Sequence, residues 1–161
     1  MIITSTIPDN FEPQSKNSNY LRLTPGSHRI RVLSDALAGY EWWEDTDAGG
    51  RTPKRIPLDG HPPVEFAEDV KKFLAFVVWN YEIERLQVLE ITQSSIQKEL
   101  KALEKDKEWK DLKTFDILIE RTGVDKNTTK YRVSPKPHSE LSKEIEEAKK
   151  GLPVLEALFE G

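Results

Sequence analysis

The chain has 161 residues, 37% of them hydrophobic and 32% charged, with a net charge of −4 and no cysteine. That is the size of one ordinary domain with appendages and a real core, and it excludes disulfide and thiolate chemistry. The acidic balance argues against attraction to nucleic acid or anionic membrane over the whole surface, while leaving room for a local basic groove. No apolar run reaches the length of a membrane span, and residues 1–10 lack the basic start and apolar run of a signal peptide, so a cytoplasmic location is the expectation.

Residues 1–18 are polar, carry Pro8 and Pro13 and show no periodicity, which predicts a flexible N-terminal arm. Order is expected from Asn19. Thr24-Pro25-Gly26-Ser27 is a turn. Residues 28–33 then alternate, with Arg29 and Arg31 on one face and Ile30 and Val32 on the other. Ser34-Asp35-Ala36 marks a bend, after which 37–43 continues as strand, so the first strand is long and broken by a bulge. Seven glycines and prolines between Gly49 and Pro63 argue against a long regular element over 44–70, which reads as a loop. It holds Arg51, Lys54 and Arg55, and loops of this length in a compact domain are functional or disordered.

Residues 71–81 are rich in aromatic and β-branched side chains and predict a second strand; a turn near 82–84 leads to a third over 85–92. Ser94 with Gln97 three residues on has the spacing of a capping box. Ile96, Leu100 and Leu103 then give the helix one apolar stripe. Residues 114–122 and 128–134 read as strands four and five, ended by Pro135 and Pro137. A helix follows over 139–150, with Gly151 in its C-cap region, and 152–161 forms an apolar and acidic tail. This order predicts a mainly β fold with α additions: a five-stranded OB-fold barrel over 19–137, a helix between strands 3 and 4, and a C-terminal helix and tail over 138–161.

His28, His61 and His138 lie far apart with no metal-ligand spacing, and no P-loop, GxGxxG or GxSxG is present. Neither an enzyme, a metal site nor a cofactor is expected. What stands out is a set of aromatic and basic residues: Tyr40, Trp42 and Trp43 at the end of the first strand, Trp79 and Tyr81 at the end of the second beside Arg85, and Arg29, Arg31, Arg51, Lys54, Arg55, Lys71 and Lys72 on adjoining strands or in the long loop. Flat rings on which bases stack, with cations along the phosphates, are what binding of single-stranded nucleic acid requires. The plain alternative is that about half of such rings point into the core of an alternating strand and that the cations only solvate a surface. Phe73, Phe76, Phe115 and Tyr131 are expected to be core.

Gly39-Tyr-Glu-Trp-Trp, Lys54-Arg55, VVWNYEIERLQVLEITQSSIQKEL from Val77, Trp109 after the helix, FDILIER and TKYRVSPKP together resemble the single-stranded DNA-binding proteins of tailed bacteriophages, as reduced relatives of the T4-type helix-destabilising proteins. The resemblance covers about 19–137. It implies an OB core that coats single-stranded DNA with little sequence preference during phage replication, recombination or repair, with Trp42, Trp43, Lys54, Arg55, Trp79 and Tyr81 in or near the groove. The zinc ligands of the T4-type proteins have no counterpart here, and Lys110 stands where that family suggests glycine. Leu155 to Glu160 is similar to the tails with which such proteins recruit replication partners; the near-helical spacing of Leu152, Leu155, Leu158 and Phe159 favours instead a terminal helix packing its leucines on the barrel, and a mask over the groove is a third reading. The alternative for the whole chain is an OB-like module for protein partners.

Overall fold

The computed structural model describes residues 19–160; the expected arm over 1–18 lies outside the described residues. Seven strands form one antiparallel sheet: β1 (Gly26–Val32), β2 (Leu37–Asp45), β3 (Arg51–Pro57), β4 (Lys71–Asn80), β5 (Arg85–Ile91), β6 (Phe115–Thr122) and β7 (Lys130–His138). They run in the order β3-β2-β4-β1-β6-β7, with β5 paired to β4. Helix α1 (Ser94–Lys105) joins β5 to β6, and α2 (Lys143–Ala148) follows β7.

The mainly β class with α additions therefore holds, but the sheet is open rather than a closed five-stranded barrel. The edges that closure needs are occupied by something else. On β5, Val88 exchanges backbone hydrogen bonds with Asn19 and Leu21 (2.8 and 3.0 Å). On β7, the Val133 amide donates to the Glu99 carboxylate of α1 at 2.8 Å.

The break in the first strand falls where the sequence places it. β1 and β2 both pair with β4 and are separated by 33–36. There the Ser34 hydroxyl accepts the Val77 amide at 2.9 Å, standing in for a ladder bond. The expected loop over 44–70 is a different matter: β2 runs on to Asp45, turns through 46–50 and returns as β3. Pro53 and Pro57 do not prevent this because β3 is an edge strand, where a missing donor faces no partner. The same reasoning extends β7 through Pro135 and Pro137 to His138, past the expected end.

The capping box does not form. Gln97 instead donates to the carbonyls of Ile91 (2.8 Å) and Lys72 (3.0 Å), tying α1 to the sheet. The C-terminal helix is shorter than expected; Ser142 caps it by accepting the Ile145 amide at 3.3 Å.

Alternation along β4 divides the core. Its even residues Phe76 and Val78 join Ile30, Val32, Leu89, Ile91, Ile117 and Ile119 under Ile96 and Leu100 of α1. Its odd residues face the other way: Phe73, Ala75 and Val77 pack against Leu155 and Leu158, and Trp79 against Leu33 and Ile145. The C-terminal segment thus lies across the outer face of β4. Leu155 and Leu158 do so from a 3-10 turn over Leu155–Glu160 rather than from an α-helix.

Candidate nucleic-acid interface

The β2–β3 hairpin brings part of the expected site together. Register pairs Trp43 with Pro53 and Asp45 with Arg51, on the face that also carries Glu41, Arg55 and Lys71. Trp43 is 43% exposed, with the cations Arg51 and Lys71 on either side along that face. Arg51 meets Asp45 only loosely, at 3.9 Å between two exposed groups, and Lys71 has no ion pair within 4.0 Å among the described residues. Lys54 and Lys72 are exposed on the opposite face of the same ribbon.

Several expected site residues are engaged within the fold. Trp42 is 5% exposed, its indole NH donating to Glu44 at 2.7 Å and its ring stacked on Phe66 at 6.3 Å. Trp79 is 4% exposed beneath the C-terminal segment. Arg55 is held by two carboxylates, Glu41 at 3.0 Å and Glu90 at 2.8 Å. These rings and this guanidinium are not open to a ligand here. Arg85 is exposed at the far end of β4, opposite Asn80.

Arg29, Arg31 and Tyr81 converge on Asp116, four side chains from two strands and a turn. Asp116 accepts from Arg29 (2.8 Å), Arg31 (2.7 Å) and the Tyr81 hydroxyl (2.7 Å). Arg31 is 1% exposed and also donates to the hydroxyl and carbonyl of Ser139, anchoring the chain that leaves β7. Arg29 keeps half of its side chain in solvent and lies 5.5 Å from the centroid of the Tyr81 ring. Burial pushes the Asp116 carboxyl up, but the hydrogen bonds from Tyr81, Arg29 and Arg31 outweigh it and hold the group below its ordinary value. Burial, reinforced by the Asp116 carboxylate, pushes the Tyr81 phenol up to about 12. Tyr81 is therefore a neutral donor over the physiological range.

Sequence reasoning did not single out the cations of β7. Register places Lys130, Arg132 and Ser134 opposite Thr122, Glu120 and Leu118, on the outer face shared with Arg29. Their signal was present: in TKYRVSPK, the polar residues recur at every second position with Tyr131 and Val133 turned inward. On the inner face, a cleft of about 460 Å³ lies between β2, β4 and α1, lined by Ala38, Leu74, Leu100 and Leu112 with Lys72 and Lys101 at its rim. Among the described residues no group of acidic or histidine side chains could hold a metal ion, and no helix is long and apolar enough to cross a membrane. No family model matches the chain, and no curated protein or solved structure matches it either.

Proposed function

We propose that the protein binds single-stranded DNA without strong sequence preference, in replication, recombination or repair, and that the β2–β3 hairpin is its principal contact. The observation that carries this reading is the exposed Trp43 ring between Arg51 and Lys71 on a projecting ribbon. A base stacks on the ring, and the flanking cations follow the phosphates on either side. The hairpin occupies the connection between the first and second strands of an OB arrangement, one of the two loops with which such folds hold oligonucleotides. The pairing order β5-β4-β1-β6-β7, with a helix between β5 and β6, supports that finer reading in an unclosed form.

The test follows tryptophan fluorescence during titration with oligo-dT and with duplex of equal length. Quenching by oligo-dT alone is expected. Trp43→Ala should abolish most of the quench and weaken binding by about 1–3 kcal/mol, or roughly 5- to 150-fold, with the far-ultraviolet circular dichroism unchanged. Equal binding by the Trp43→Ala protein would reject the hairpin as the contact.

A second reading, a module for a protein partner, draws on two exposed apolar side chains: Leu58, 48% exposed at the inner cleft, and Val64, 91% exposed in a separate hollow beside Tyr40. Absence of any oligo-dT binding at low salt would favour it.

A further inference from the structure

We propose that the outer face of β1, β6 and β7 is a second contact surface for the phosphate backbone of a single strand, with Arg29, Lys130, Arg132 and Lys136 as its cations. The proposal rests on the reading of the protein as a binder of single-stranded DNA and extends it to a face remote from the hairpin.

The register defines the surface. One row across the sheet runs Ser27–Glu120–Arg132, and the next runs Arg29–Leu118–Ser134. Lys130 flanks these rows on the outward alternation of β7, and Lys136 lies half-buried just past Pro135, where a bulge opposite Asp116 interrupts the register. Four cations face two carboxylates, and Asp116 is already consumed by Arg29, Arg31 and Tyr81. Among the described residues, Lys130, Arg132 and Lys136 make no ion pair within 4.0 Å. On a chain of net charge −4, such an excess of cations over carboxylates on one sheet face concentrates positive potential.

The chemistry of the face selects phosphate rather than bases. Its one ring, Tyr81, is half-buried with the Arg29 guanidinium over it, which leaves no free plane for stacking. The hydroxyls of Ser27 and Ser134, between the cations, suit phosphate oxygens. Asp116 fixes Arg29 while half of that side chain stays in solvent, so one cation is held in place in advance. The hairpin pairs with the start of β4 and this face with its end, a separation of about 30 Å along the strand at about 3.3 Å per residue. A short oligomer can reach only one of the two surfaces.

The experiment compares oligo-dT of about 3 and about 25 nucleotides, lengths below and above the site sizes of single OB folds, roughly 4–16 nucleotides. A Lys130→Gln/Arg132→Gln/Lys136→Gln variant is set against a control of equal net charge, Lys98→Gln/Lys105→Gln/Lys107→Gln, on and after α1. Lys130, Arg132 and the three control positions are exposed, and Lys136 is half-buried. For the long oligomer, the β7 variant should lower the slope of log K against log salt by about 2, at about 0.7 per phosphate contact on a single strand. It should leave the short oligomer unaffected, and the control should change neither. An unchanged slope on the long oligomer, or an equal loss in the control, overturns the proposal while leaving the hairpin reading standing. Failure of the unmodified protein to bind either length removes both.

Discussion

Asp116 is the residue on which most of the buried charge depends. Arg31 has essentially no solvent and its Nε is 2.7 Å from that carboxylate, so Asp116→Asn leaves a guanidinium charge uncompensated inside the protein. The expected cost is about 3–5 kcal/mol at neutral pH, read from the urea midpoint. The sign of the pH dependence follows from the depressed carboxyl. A folded-state value below the ordinary 3.8 means the stabilisation is complete above that value and is lost as pH falls through the lower, folded one. The gap between the unmodified protein and Asp116→Asn should therefore close on acidification below about 4, and a gap independent of pH would show that the carboxylate does not hold the cluster. Lys110 shows a residue-scale compromise of another kind. Its φ of 55° lies in the left-handed region, which costs a side-chain-bearing residue about 1–2 kcal/mol and explains why a glycine suits that turn.

At the scale of elements, the β2–β3 hairpin depends on one close approach. Gly39 pairs with both Pro57 and Phe73, and a Cβ there would collide with the Ile56 carbonyl and lie 2.9 Å from the Phe73 ring. Gly39→Ala should destabilise the protein by about 1–3 kcal/mol through overpacking and weaken oligo-dT binding beyond what Trp43→Ala alone removes. A variant with undiminished thermal stability would mean that the ribbon can shift without cost. The hairpin is hidden in the sequence because proline and glycine break a central strand but not an edge, and the sequence does not say which strand is the edge. The stripe of α1 was legible because Ile96, Leu100 and Leu103 repeat at helical spacing and meet the same core. Its cap was not, because Gln97 finds better partners in Ile91 and Lys72, carbonyls that only the packed sheet brings near.

For the whole molecule, β4 makes the described chain one cooperative unit. Its even residues serve the core under α1, and its odd residues serve the C-terminal segment. Urea unfolding followed by tryptophan fluorescence, to which Trp79 contributes from beneath α2, should coincide with the transition seen by circular dichroism. A separate, earlier fluorescence change would show that residues 139–160 detach on their own. The tail reading that best matches the structure is packing of its leucines on the sheet, and that packing covers the outer face of β4 where Trp79 was expected to meet a ligand.

The mainly β class, the strands 71–81 and 85–92, the break after Leu33, the helix between β5 and β6, and the opposed faces of Arg29/Arg31 and Ile30/Val32 are all legible in the order of residues. All of these rest on periodicity and local turn chemistry, which act over a few residues. Long-range packing sets which of Trp42, Trp43 and Trp79 remains exposed, binds Arg31 and Arg55 to carboxylates distant in sequence, and keeps the sheet open. Those outcomes depend on what packs on each face and each edge: Phe66 on Trp42, Ile145 on Trp79, Asn19 and Leu21 along β5. Alternation says that a side chain points away from one face, but not what covers the other.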